Sequence, residues 1–155
     1  VVKLSQQDIV IDAHPELCFE VVAAAGRRLE KRSETEWLVE FTTEAGGREI
    51  RTVELLTLER PRAIHYRWIE GPLPEVAETI RFTEVDGNKT KLTYSGTFSV
   101  GKGMLGWLFG LFRVRPLFDR LVKEHLHQAK EVAEERATRT NLHTRSGRRD
   151  EGSHR

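Results

Sequence analysis

The residues best placed by type and spacing to do chemistry are Arg51, Glu70, Glu78, His125, Tyr66 and Tyr94. If the chain's hairpins pair as their turn residues dictate, Arg51 stands opposite Glu70, and Glu78 lies one step along the next strand, beside Trp68 and Gly96. A cation between two acids stabilises the charged form of the acid it touches, while the other, partly desolvated acid has a raised pKa. That patch suits the polar end of a ligand; the same residues at the open mouth of a sheet would equally be a solvated, inert ion-pair cluster. Glycine at position 96 would leave an empty volume beside Glu78. The candidate acid/base residues are His125 and Glu78, with Tyr66 or Tyr94 hydrogen-bonding a developing enolate. For His125 the alternative is a core histidine satisfied by a neighbour.

Other motifs carry less. His125 and His127 lie about 200° apart around a helix, so they cannot chelate one ion as an i, i+4 pair could, and no metal site and no cofactor is expected. Gly101-Lys-Gly-Met-Leu-Gly106 matches a dinucleotide fingerprint in letters, but the parallel strand which that mechanism needs does not follow; the glycines read as backbone freedom. The apolar stretch 101–112 has too few residues to span a bilayer, which takes about 20. It reads as a lid, a short helix or a loop making transient membrane contact, and Trp107 is its candidate ligand contact.

These residues need a scaffold. After a strand at Ile9 to Ile11, Pro15 and Glu16 mark the first turn of a short helix over 15–25, stopped by Gly26. Turn signals at 33–35, 45–47, 60–61, 71–74 and 86–88 then divide residues 27–100 into six further strands, seven in all. A two-residue loop at Arg60-Pro61 pairs Leu55 with Tyr66 and Val53 with Trp68; a three-residue loop at 45–47 pairs Trp37 with Leu55 and Val39 with Val53. Three-residue loops at 72–74 and 86–88 align Trp68, Glu78 and Gly96 in one row, and Tyr66, Ile80 and Tyr94 in the next. The four turns agree on one apolar face, whose aromatic residues include Trp37, Tyr66, Trp68, Tyr94 and Phe98. Glu40, Glu54, His65 and Arg67 fall on the opposite, solvated face. A final amphipathic run, 116–135, carries Phe118, Leu121, Val122, Ala129 and Val132 in a stripe with His125 near its centre.

The order of these elements, with Ile9-Val-Ile-Asp-Ala-His-Pro-Glu, Glu59-Arg-Pro-Arg-Ala-Ile and the closing helix from Leu117 to Val132, resembles the START-like superfamily. Within it, the chain is most similar to the polyketide cyclase/dehydrase and lipid-transport (SRPBCC) group. The resemblance covers about residues 5–135 and implies an α+β helix-grip fold, in which a curved antiparallel sheet wraps a C-terminal helix around a hydrophobic cavity. It also implies a small hydrophobic ligand: a lipid, polyketide or aromatic compound. Such members are carriers, cofactor-free cyclases or dehydratases, or protein-interaction modules, and fold alone does not choose. The ligand-binding candidates are Trp37, Arg51, Tyr66, Trp68, Glu70, Glu78, Ile80, Tyr94, Phe98, Trp107, Phe118, Leu121 and His125.

At 155 residues the chain supports one sizeable core. It divides into a ligand-binding domain, 1–135, and a basic tail, 136–155, with six arginines and almost nothing apolar to bury, which reads as disordered. The formal charge is +1 overall and −3 without that tail. The tail lacks basic and aromatic interleaving, so no nucleic-acid partner is expected. With Cys18 alone and no signal peptide ahead of the first strand, a cytoplasmic location is expected. Oligomeric state stays open.

Overall fold

The computed structural model describes residues 1–99, 103, 106 and 110–151. The readings of the stretch 101–112 as a lid, short helix or membrane-touching loop, and the ligand contact of Trp107, fall largely outside them; Trp107 itself is not described. Elements run β1 (Val2–Lys3), β2 (Gln7–Ile11), α1 (Pro15–Ala23), β3 (Arg27–Lys31), β4 (Glu36–Ala45), β5 (Arg48–Glu59), β6 (Ala63–Glu70), β7 (Ala77–Val85), β8 (Lys89–Phe98), a π-helical turn (Gly110–Val114) and α2 (Arg115–Glu151). The sheet is antiparallel with order β1-β8-β7-β6-β5-β4-β3, and β2 also pairs with β8. Among the described residues it has eight strands rather than the expected seven, because Val2 and Lys3 add a short strand beside Phe98 and Thr97. With one long C-terminal helix after this open sheet, the architecture is the helix-grip fold.

Local chemistry sets the elements. Pro15 opens α1 without needing an amide partner, and Cys18, Phe19, Val21, Val22 and Ala23 go into the core. Phe19 meets Phe82 at 5.4 Å between ring centroids, and the buried Thr90 hydroxyl donates to the Ala13 carbonyl at 2.7 Å. Gly26 follows with φ +80°, and a Cβ there would lie 2.8 Å from Phe41 and Val39, so only glycine makes this corner.

Two turns differ from the expected lengths, with large consequences. The β4–β5 hairpin closes on two residues, Gly46 and Gly47, both at positive φ, and pairs Ala45 with Arg48. The β5–β6 connection uses three, 60–62, between the paired Glu59 and Ala63. Each error displaces β5 by one residue, in compensating directions. So β4 and β6 present the expected faces, and β5 alone turns over: Trp37 pairs with Leu56, Val39 with Glu54, and Leu56 with Tyr66. Thr52, Glu54, Leu56 and Leu58 therefore point inward and Arg51 outward. Between β6 and β7 the register moves by two, pairing Tyr66 with Glu78 and Ile64 with Ile80, which keeps every side chain on its expected face. The β7–β8 pairs Glu78–Gly96 and Ile80–Tyr94 are as expected.

Helix α2 packs against α1 and β2. Polar clamps hold it along that side of the sheet: Asp119 accepts from the Ser5 hydroxyl at 2.8 Å, Lys130 donates to the Val10 carbonyl at 2.9 Å, and Glu134 accepts from the Asp12 amide at 3.0 Å. Its buried line is Val122, Leu126 and Ala133, flanked by Phe118, Ala129 and Ala137. The expected stripe was rotated: Val132 is 40% exposed, and His125 lies ~60° off the line through Val122 on the helical wheel. Beyond Ala137, side chains 138–146 are exposed.

Candidate functional site

The inner face of β4 to β8 is an aromatic wall with acids set into it. Trp37 and Phe41 come from β4, Tyr66 and Trp68 from β6, Tyr94 and Phe98 from β8. Tyr66, Trp68, Glu78 and Ile80 are only half-buried, so this face keeps some accessible surface. From α2, Phe118 reaches the wall, stacked on Trp68 at 5.7 Å and on Phe98 at 6.0 Å between centroids. Leu121 is half-buried beside it.

Two carboxyl groups enter this wall from strands on either side of β6. Glu54 lies on β5 opposite Trp68, 7% exposed, and its Oε1 accepts a 2.8 Å hydrogen bond from Thr52. Glu78 lies on β7 opposite Tyr66; its Oε1 accepts from the Tyr94 hydroxyl at 2.6 Å and its Oε2 from Trp68 Nε1 at 3.2 Å. Burial, and then the charge of Glu78, push the Glu54 pKa up to about 8. Burial also raises Glu78, while the Tyr94 and Trp68 donors oppose that by favouring its ionised form. Burial thus raises both acids, Glu54 far enough to hold a proton at neutral pH, and they differ in their hydrogen bonds, since Glu78 accepts two that suit a carboxylate. Burial and the two acids raise Tyr66 and Tyr94, keeping both as neutral phenols. The Tyr66 hydroxyl makes no hydrogen bond among the described residues.

Glycine at 96 does not open a void beside Glu78, as the sequence suggested. A Cβ there would meet the Tyr94 hydroxyl at 2.8 Å, Leu4 at 2.9 Å and Glu78 Cγ at 3.2 Å, so the space is where Tyr94 reaches its acid.

The expected Arg51, Glu70 and Glu78 patch does not assemble. Arg51 is on the outer face, with its Nε 2.5 Å from Glu40 and a terminal nitrogen 3.0 Å from Glu70, in an exposed network. His125 is exposed rather than central to the buried stripe. Of the expected polar groups, Glu78, Tyr66 and Tyr94 come together, and Glu54, assigned to the solvated face, joins them. The signal that locates Glu54 is Gly46-Gly47, since a two-residue type I′ turn needs positive φ at both positions, which two glycines supply, and such a turn sets Glu54 beside Val39.

At the rim, Trp37 is already covered by cations, with the guanidinium groups of Arg28 and Arg60 4.9 and 5.6 Å from its ring. Its Nε1 is buried without a hydrogen-bond partner among the described residues. Open pockets among the described residues lie apart from the acids, one of about 310 Å³ between β2 and α2, lined by Gln7, Asp8, Ile9, Lys123, Leu126 and His127, and another of about 280 Å³ beside the end of α1, reaching Arg28 and Trp37. No described helix is long and apolar enough to cross a membrane.

Comparison with known proteins places this architecture. The fold matches an aromatase/cyclase from a Streptomyces species at 18% identity and a TM-score of 0.70, over 86% of this chain and 94% of that one. It matches a START superfamily protein from Mycobacterium smegmatis at 14% identity and a TM-score of 0.63, over 88% and 99%. It also matches a di-domain ARO/CYC protein of the steffimycin biosynthetic pathway at 17% identity and a TM-score of 0.65, over 88% of this chain and 52% of the larger one. At these identities the likeness is one of fold. No curated protein matches the chain in sequence. The profile of one family, described as polyketide cyclase/dehydrase and lipid transport, covers residues 4–134, which takes in β2 to β8, α1 and the buried part of α2 up to Ala133. The chain therefore belongs to the polyketide cyclase/dehydrase and lipid transport family.

Proposed function

We propose that the protein binds a small hydrophobic ligand against the inner face of the sheet, between β4–β8 and the Phe118 end of α2. The observation that carries this is the half-buried wall of Tyr66, Trp68 and Ile80, apolar yet accessible, with Glu54 and Glu78 as its polar end. Apolar burial would supply most of the affinity, at roughly 25 cal/mol per Å² removed from water. Family membership supports the same reading. The test is native mass spectrometry of gently purified protein, with solvent extraction of whatever accompanies it. A stoichiometric apolar adduct, lost when Trp68→Ala and Phe118→Ala are combined, is expected. An unliganded mass that persists after challenge with lipids and aromatic polyketide-like compounds overturns the proposal and favours a protein-interaction role.

A second reading, a cofactor-free cyclase or dehydratase, is favoured by the split of the two acids. Glu54, holding its proton near neutral pH, would donate to a departing hydroxyl, and Glu78 would take a proton alpha to a carbonyl. Exposed His125 then has no part in the chemistry.

A further inference from the structure

We infer that the ligand of this groove carries a basic nitrogen, an ammonium or amidinium group on an aromatic or otherwise apolar body, which seats between Glu54 and Glu78. The inference rests on the proposed ligand-binding reading of the same groove and names its ligand class. Two acids enter the groove, and among the described residues the hydrogen-bond donors to them are neutral: a threonine hydroxyl, a phenol and an indole. Among the described residues no guanidinium or ammonium group bonds to either. Arg51, which the sequence placed between Glu70 and Glu78, pairs instead with Glu40 and Glu70 on the outer face. Glu78, whose hydrogen bonds suit a carboxylate, thus has no counter-charge among the described residues, and a buried acid without one is costly unless a partner arrives or a proton stays.

Two independent features point to a cation as that partner. The walls beside the acids, Tyr66 and Trp68, are π faces, and the same aromatic sheet already takes cations at its rim, where Arg28 and Arg60 lie over Trp37. The Tyr66 hydroxyl, open and unbonded among the described residues, stands on the strand between the two acids and can accept from an N–H group. An anionic ligand would meet like charge here, and a neutral one would leave the acids as they are. A protonated amine gains both the carboxylate and the ring faces.

The experiment uses three probes with one aromatic body: naphthylmethylamine, naphthylmethanol and naphthoate, titrated into the full chain at neutral pH by calorimetry. The amine is expected to bind about tenfold or more tightly than the alcohol, with naphthoate weakest. Glu78→Gln should cut the amine's affinity about tenfold and leave the alcohol's within about twofold, while Arg51→Ala on the outer face changes none of the three. Should Glu78→Gln not fold, the wild-type probe series decides alone. Equal binding of amine and alcohol, or preference for naphthoate, overturns the inference and leaves the ligand-binding proposal standing. If none of the probes binds but an extracted neutral lipid does, the inference also fails. If nothing apolar binds at all, the ligand-binding proposal falls with it.

Discussion

Glu54 gives the clearest single-residue consequence of the site. Its pKa stands at about 8 in the folded chain, chiefly through burial, so the folded state holds this proton more tightly than the unfolded state does. A raised acid contributes its full stability below the unfolded value, near 4.3, and loses it as pH rises through the folded value. The loss is on the order of a few kcal/mol, since each unit of difference is worth about 1.4 kcal/mol. Urea denaturation should therefore find the wild type less stable at about pH 8.5 than at about pH 5. Glu54→Gln, neutral at both, should flatten most of that fall, leaving the part owed to Glu78. Equal wild-type stability at the two pH values would mean that Glu54 is not held neutral in the folded protein.

At the scale of elements, the phase of α2 and the register of β5 decide which residues face the groove. Leu126 is 4% exposed on the helix's buried line, and His125, one residue away, is exposed. Leu126→Ala should cost about 2–5 kcal/mol, as a large-to-small change in a packed core does. His125→Ala should stay within about 0.5 kcal/mol, as surface changes do. Denaturant midpoints of the two variants separate this phase from the one expected from sequence; a large loss in His125→Ala with little in Leu126→Ala would reverse it. The phase was hard to read because Leu121, Val122, Leu126, Ala129, Val132 and Ala133 spread around a wide arc. The polar clamps at Asp119, Lys130 and Glu134 choose within that arc. Strand β5 was hard for a similar reason. In Val53-Glu-Leu-Leu-Thr-Leu58 both parities carry apolar side chains, and Val53 and Leu55 are buried along with Leu56 and Leu58. Alternation then cannot choose a face, and the turn lengths at either end must.

For the whole molecule, the family profile ends at residue 134, the buried line of α2 at Ala133 and its partly buried flank at Ala137, while side chains 138–146 are exposed. A chain cut after Ala137 should keep its melting temperature within about 2 °C of the full chain and retain whatever apolar ligand the full chain binds; loss of the ligand would assign the arginine-rich stretch a role in the site. The amino-acid sequence by itself determined the alternation of hairpins, the single late helix, the resemblance to the START-like group and the inward aromatic residues of β4, β6, β7 and β8. These follow from local turn chemistry and side-chain period, which neighbouring residues set between them. Only the tertiary structure decided that Glu54 lies inside and Arg51 outside, that Tyr94 fills the space at Gly96, and that His125 points away. The positions of Glu54, Arg51 and His125 depend on a displacement of one residue or a fraction of a helical turn, and it takes contacts between segments far apart in the chain to resolve steps that small.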